Sequence, residues 1–234
     1  MPPEYTALRT CKYAIYDATY FHKTDCLMNI MNADTQDIIA QSIVHKENFV
    51  DAYPWFEQLA RRGLNLSAIT VDGERSIMRA IKKAWPQIKI QRCLYHIQHE
   101  DMRWLRTYPK TAAGKELRAI LKTLSAIKTL KERNAFVCSY RQWLTKHRAF
   151  VMNLPRTTIA FKDLQRTISL LNNALPDMFR YLRNSRIHAT TNALEGLHSR
   201  LKSDYQRHRG LTQEHRTQYI RWYCHFRNQN NNTF

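Results

Sequence analysis

Three carboxylates have the residue type and the sequence setting to carry chemistry: Asp17, Asp72 and Glu195. Asp17 lies inside the apolar stretch IYDATYF, where a charge needs a cation or hydrogen-bond donors as partners. Asp72 ends the apolar run ITVD, and Glu195 lies near the start of NALEGLHSRLK. Carboxylate oxygens are the hard ligands that hold Mg²⁺, and two such ions about 4 Å apart can activate an attacking oxygen and stabilise a leaving one. The three residues therefore predict a metal site for phosphodiester chemistry.

Each carboxylate also has a simpler interpretation. Asp17 could lie at a bulge or a sheet edge, and Asp72 could close a turn or cap a helix. Asn192, followed three residues later by Glu195, fits a capping box, in which the glutamate only satisfies backbone N–H groups. On the helix alone the capping box is the more common arrangement, so the case for chemistry depends on the two upstream aspartates.

The elements that must position these residues begin with strands. Residues 11–21, 23–31 and 37–44 are rich in aromatic and β-branched residues, and a polar turn at 32–35 separates the last two, which predicts an antiparallel meander. Further along, the patterns predict a helix over 49–62 closed by Gly63, a strand over 66–71, a helix over 76–85 and a strand over 88–92. The order β-β-β-α-β-α-β indicates a mixed α/β sheet. If the first and fourth strands are neighbours, Asp17 and Asp72 emerge at one edge of that sheet.

Helical patterns replace strand patterns after about residue 97. Apolar stripes predict helices over 115–131, 133–147 and 164–182, the last of them interrupted near Pro176. In the segment that carries Glu195, the apolar residues Leu194, Leu197 and Leu201 recur at helical spacing, so they define a buried face different from that of the glutamate. We therefore expect 1–97 to form the first part of a catalytic domain, 98–187 a helical insertion, 188–227 the completion of the same domain and 228–234 a disordered tail.

Positive charge is concentrated in the second part of the chain. The sequence carries 37 basic and 19 acidic side chains, a net charge of +18. Residues 1–90 hold 11 basic and 10 acidic side chains, whereas residues 91–234 hold 26 and 9. Such asymmetry indicates a polyanionic partner, and nucleic acid is the leading candidate. A solvated basic surface, ribosomal RNA or an acidic membrane surface would also fit the charge.

The compartment expected from the sequence is the cytoplasm. No apolar run approaches the length of a membrane-spanning helix, and the N-terminus lacks the pattern of a signal peptide. The five cysteines are irregularly spaced and form no Cys-x-x-Cys pair, as expected of free thiols under reducing conditions.

Several motifs together resemble a known family. RCLYH at 92–96, followed by TTNALEGLHSRLK and HRGL, resembles the mutator-type transposases of bacterial insertion sequences. The strand order, the Asp…Asp…Glu series and the helical insertion are similar to the ribonuclease H-like catalytic domain of the DDE transposases. The intervals of 55 and 123 residues between the three carboxylates suit that layout, and the resemblance covers roughly residues 11–225.

The resemblance implies roles for individual residues. Asp17, Asp72 and Glu195 would be the catalytic triad and would hold two Mg²⁺ ions, for which Mn²⁺ can substitute. Cys93 and His96 would be the family's Cys-x-x-His pair, for which a structural role near the site is favoured over metal binding because two further zinc ligands are missing. The candidates for DNA-backbone contacts are the basic residues after Glu195, namely Arg200, Lys202, Arg207 and Arg209.

The implied activity is DNA cleavage and strand transfer in transposition, by a protein that works as a homo-oligomer on element ends and target DNA. Such transposases carry an N-terminal DNA-binding region, whereas here the first candidate catalytic strand begins about ten residues in, so we expect a truncated frame or a separately encoded region. A non-catalytic DNA-binding remnant is the alternative from another class. A ribonuclease H-like nuclease or resolvase would share the triad without the long insertion.

Overall fold

The computed structural model describes residues 7–22, 25–208 and 210–231. The chain divides into two compact units. The first combines the residues up to Gln91 with those from Arg186 onwards, and the second comprises Arg92–Ser185. The first unit contains all three candidate catalytic carboxylates.

A mixed five-stranded sheet forms the centre of the first unit in the described residues. Its strands are β1 (Tyr13–His22), β2 (Asp25–Asn32), β3 (Ile38–Val44), β4 (Ala68–Val71) and β5 (Lys89–Arg92). Their spatial order is β3-β2-β1-β4-β5, with β1, β2 and β3 antiparallel and β4 parallel to β1. The predicted meander, the mixed α/β class and the adjacency of the first and fourth strands are confirmed.

Helices α1 (Phe49–Arg61) and α2 (Arg75–Ala84) pack on one face of this sheet. Their apolar faces join alternate residues of the strands in one core, in which Tyr16 of β1 contacts Phe56 of α1 with ring centroids 5.5 Å apart. Gly63 follows α1 with a φ of 99°, as expected of a glycine that closes a helix. These boundaries match the predicted helices to within one residue.

Helices α7 (Asn192–Tyr205) and α8 (Gln213–Asn231) cover the other face. Ile15 of β1 packs there with Leu194 and Leu197, while Leu27 of β2 packs with Leu201. The buried face predicted from the three leucines is confirmed, since all three are fully buried.

The C-terminal residues differ from expectation. Asn228–Asn231 belong to α8 rather than to a disordered tail, and residues 232–234 lie outside the described residues. The Asn228 side chain explains the order, because its Oδ1 accepts from the Ile38 N–H at 2.9 Å and its Nδ2 donates to the Ile38 carbonyl at 2.8 Å. A tertiary contact thus holds a stretch whose composition is typical of disorder.

The second unit is helical. Its α-helices are α3 (Leu94–Leu105), α4 (Ala112–Lys122), α5 (Leu130–Asn153) and α6 (Ile159–Ala174). The helix predicted over 115–131 is wrong as a single element, because α4 ends at Lys122 and α5 begins at a capping box formed by Thr129 and Glu132. The helix predicted over 164–182 begins earlier and ends at Ala174. Helix α3 was not predicted. The second unit, which contains this helix, starts at Arg92.

Within the described residues, none of the helices combines the length and the apolar character needed to cross a membrane.

Candidate active site

Asp17 lies on β1, and Asp72 directly follows the neighbouring parallel strand β4. The β1–β4 register runs from Tyr13 opposite Ala68 to Ile15 opposite Thr70, and two residues further along each chain stand Asp17 and Asp72. Because side chains alternate along a strand, Asp17 shares the sheet face of Ile15. Parallel pairing thus puts Asp72 at the end of the strand next to the one that carries Asp17, although the two residues lie far apart in sequence.

Helix α7 lies on that same face and carries Glu195. Leu194 and Leu197 on either side of the glutamate pack against Ile15. One turn further along α7, Nδ1 of His198 lies 3.0 Å from Oδ2 of Asp17. Since residues three apart on a helix are neighbours, Glu195 stands next to a residue in direct contact with Asp17. The structure therefore places the helix of Glu195 over the sheet face that holds Asp17.

The capping box anticipated from Asn192 and Glu195 is not formed in that way. Asn192 is the first residue of α7, and the N-cap is Thr191, whose side chain makes no capping hydrogen bond. Instead, the Thr191 hydroxyl donates to Oε1 of Glu195 at 2.6 Å. This bond orients the carboxylate and fixes one of its oxygens.

Asp72 forms the turn between β4 and α2. Its Oδ1 accepts from the Glu74 N–H at 3.0 Å, and Gly73 between them has a φ of 106°. The N-cap of α2 is Glu74, which accepts from the Ser76 N–H at 3.2 Å. Asp72 thus has the predicted role in a turn, whereas Glu74 caps the helix. The charge of Asp72 takes no part in the capping interaction.

A fourth carboxylate, Glu47, is affected by the charges of Asp72 and Asp17. Its pKa is raised to about 7, chiefly by burial and then by the negative charge of Asp72, with a smaller effect from that of Asp17. The Tyr16 hydroxyl, which donates to Oε1 of Glu47 at 3.0 Å, acts in the opposite direction. Glu47 escapes sequence analysis because HKENF has no pattern that links it to a strand end.

Two buried polar residues that sequence analysis missed contact Asp17 or its partner. His198 bonds Asp17, and Nδ2 of Asn29 lies 3.2 Å from Nε2 of His198. His198 could have been found from its position three residues after Glu195, which places it one helical turn away. Asn29 had no signal, since its place opposite Asp17 follows from the β1–β2 register.

The side chains present suit a hard divalent cation. The three carboxylates offer only oxygen donors, which Mg²⁺ and Mn²⁺ prefer over nitrogen and sulfur. Asp72 and Asp17 also add negative charge to the surroundings of Glu47, which a cation would offset. Donor chemistry and local charge therefore both fit the ions that the sequence resemblance implies.

Cys93 and His96 lie in the second unit. Cys93 is buried as the N-cap of α3, without a side-chain capping bond, and His96 is half-buried in the first turn of that helix. The pair thus follows directly on the end of β5 at Arg92.

The basic residues after Glu195 are accessible where they are described. Arg200 and Arg207 are exposed, Lys202 is half-buried, and Arg209 lies outside the described residues.

A second basic surface, the α2 face, was not predicted because residues 1–90 are nearly neutral in total. It consists of four exposed residues of α2, namely Arg75, Arg79, Lys82 and Lys83. The Arg79 guanidinium lies 4.1 Å from the ring centre of Phe49, and the Lys83 ammonium lies 4.3 Å from that of Tyr53. The aromatic rings hold these two cations in place while leaving them accessible.

Comparison with known proteins identifies one family. The sequence model of a family described as "Transposase, Mutator family" matches residues 26–211, which include Asp72 and Glu195. Asp17 lies before the matched segment. No curated protein matches the chain.

Proposed function

Since this chain belongs to the Mutator family of transposases, we propose that it carries out the DNA cleavage and strand transfer of transposition with a DDE active site. Asp17, Asp72 and Glu195 are the proposed ligands of two Mg²⁺ ions in a ribonuclease H-like catalytic domain. The strand order β3-β2-β1-β4-β5 supports that fold, and residues 92–185 are then an insertion between β5 and α7.

One observation carries the proposal: Asp17 lies on β1, Asp72 directly follows the adjacent parallel strand β4, and the helix of Glu195 is packed on the face of β1 that holds Asp17. The fully buried leucines of α7 fix the helix against the sheet, so the position of Glu195 does not depend on its own interactions. Such preorganisation is what a multi-carboxylate site requires, because like charges would otherwise separate.

The residues of this chain have different roles in the proposed reaction. The carboxylates hold the ions, which would lower the pKa of an attacking water or 3′-hydroxyl and stabilise the leaving oxygen. Thr191 holds Oε1 of Glu195, so the carboxylate keeps one orientation. Exposed basic residues on α7 and on the α2 face bind phosphates and offset the repulsion between DNA and the carboxylates.

The test is joining of a pre-cleaved, 3′-hydroxyl-ended DNA to supercoiled plasmid in Mg²⁺ or Mn²⁺, with wild type and Glu195→Gln compared. Glutamine keeps an oxygen that can accept from Thr191, so the variant loses the charge and retains the fold. Metal-dependent joining by the wild type and its loss in Glu195→Gln are the expected results. The matched control is Glu214→Gln, which removes the same charge from an exposed position of α8.

Two results would contradict the proposal. Equal joining by wild type and Glu195→Gln would remove Glu195 from the site. DNA binding by both proteins without joining by either would favour a DNA-binding protein that performs no strand transfer.

A further inference from the structure

We propose that His198 is a positioning residue for Asp17 and that Asn29 holds it in the tautomer that carries the proton on Nδ1. The inference rests on the proposed metal site and adds two residues that the resemblance did not assign. It starts from a buried chain of three polar side chains in the first unit.

The chain runs from β2 through α7 to β1. Asn29 Nδ2 lies 3.2 Å from His198 Nε2, and His198 Nδ1 lies 3.0 Å from Asp17 Oδ2. Asn29 is fully buried and His198 is 4% exposed, so water does not compete for either contact. Asn29 stands directly opposite Asp17 in the β1–β2 register, and thus His198 bridges a cross-strand pair from above the sheet.

The direction of the two hydrogen bonds follows from the donors. An amide nitrogen can only donate, so Nε2 of His198 accepts the bond from Asn29. A neutral imidazole with a bare Nε2 carries its proton on Nδ1. That proton is donated to Oδ2 of Asp17.

This arrangement has two consequences for Asp17. His198 engages Oδ2 and thereby fixes the rotation of the carboxylate, while Oδ1 has no hydrogen-bond partner among the described residues and can bind a cation. A hydrogen bond to a ligand from the surrounding protein is the usual way in which metal sites orient a carboxylate.

Packing alone does not account for these residues. An apolar side chain at either position would fill the same volume between β1, β2 and α7, whose other contacts here are apolar. Asn29 Oδ1 is itself buried without a hydrogen-bond partner in the described residues, a cost that an apolar residue would avoid. A role for Asn29 must therefore explain the contact that its Nδ2 makes with His198.

The test compares two amides at position 198. In His198→Asn the amide nitrogen reaches the place of Nδ1 and can still donate to Asp17, whereas in His198→Gln it reaches the place of Nε2 and cannot. We expect Mn²⁺ affinity, measured by the electron paramagnetic resonance signal of free Mn²⁺, to fall by about 10- to 100-fold in His198→Gln. In His198→Asn it should stay within about threefold of wild type.

A second measurement observes the tautomer directly in the wild-type protein. With ¹⁵N-labelled histidine, the His198 resonances, assigned by their loss from the His198→Asn spectrum, should show a protonated Nδ1 and a bare Nε2. In Asn29→Leu the preference for that tautomer should weaken. A proton on Nε2 in the wild type would overturn the inference even if His198→Gln fails to fold.

Asp17→Asn separates this inference from the proposed function. If Asp17→Asn weakens Mn²⁺ binding while His198→Gln binds as wild type does, the metal site stands and the role of His198 is refuted. Equally weak binding by His198→Asn and His198→Gln would attribute the effect to packing of the ring, which also refutes it. Unchanged binding in Asp17→Asn would refute the metal site and this inference with it.

Discussion

Asp17 and Asp72 each stand two residues beyond Ile15 and Thr70, which pair in the parallel β1–β4 register, although 55 residues separate the two aspartates in the sequence. The crossover through β2, β3 and α1 returns the chain to the neighbour of β1. The pairing of β1 and β4 depends on backbone hydrogen bonds and not on the aspartate side chains. Either aspartate can therefore be changed without loss of the sheet. The predictions that follow use this property.

Asp72→Asn should lower strand transfer by about 10³-fold or more, the scale seen when one member of a catalytic unit is removed. Asparagine keeps the Oδ1 acceptor for the Glu74 N–H, so thermal stability should stay within a few degrees of wild type. The pKa of Glu47 should fall, since the charge of Asp72 raises it in the native protein. Joining assays, melting curves and ¹³C NMR titration measure these three quantities.

The control for Asp72→Asn is Glu74→Gln, which removes a carboxylate charge two residues away and keeps the cap acceptor of α2. A comparable loss of joining in Glu74→Gln would indicate a general charge effect rather than a ligand role for Asp72.

Thr191→Val should reduce strand transfer about 10- to 100-fold, because the variant cannot make the bond that orients Glu195 while it retains the volume of the side chain. Thr191→Ser keeps the hydroxyl and should retain most of the activity. Kinetics of joining at saturating Mn²⁺ measure the difference. Equal rates for the valine and serine variants would show that the hydrogen bond does not matter for the reaction.

The α2 face should contribute to DNA binding through its interactions with phosphates. Arg79→Gln combined with Lys83→Gln should reduce the dependence of log K on log salt by up to about 1.8, or about 0.9 for each phosphate that is no longer neutralised. Fluorescence anisotropy of duplex DNA at several salt concentrations measures the slope.

The control pair for the α2 face is Arg61→Gln with Arg62→Gln, which removes the same charge at the end of α1, where Arg61 pairs with Glu57. Identical slopes for the two double variants would mean that net charge, and not this face, accounts for the effect.

Asp101 should make the second unit less stable as pH rises. Burial raises the pKa of Asp101 to about 8, against the opposing effect of the Arg92 guanidinium. Between the pKa of the unfolded chain, near 4, and that of the folded protein, the native state holds a proton that the unfolded state has released. The contribution of Asp101 to the free energy of unfolding therefore declines through this range, by at most about 1.4 kcal/mol per pH unit, and levels off above pH 8.

Urea unfolding of wild type and Asp101→Asn at pH 5 to 9 tests this. Titrations of the other groups occur in both proteins and cancel in the difference between them. The difference should grow in favour of Asp101→Asn up to about pH 8. Parallel stability curves would place the pKa of Asp101 near its ordinary value.

The fold was predicted correctly where the local sequence pattern of a segment was clear. The aromatic and β-branched content of β1 and the helical spacing of Leu194, Leu197 and Leu201 are properties of one segment each, and both elements form as predicted. Helix α8 escaped prediction because Ile220 and Cys224 are its only fully buried apolar residues in the described part, too few for a clear stripe. The stop between α4 and α5 was missed because one apolar stripe continues across it.

The sequence alone determined the order of elements from β1 to β5, the buried face of α7 and the net positive charge, because each depends on residues close together or on a simple count. Only the tertiary structure decided that β4 pairs with β1 and that His198 meets Asp17. The last contact joins residues 181 apart, and no local pattern records it. Such contacts are set by strand register and helix packing. Both depend on the burial of apolar faces that come from segments distant in sequence.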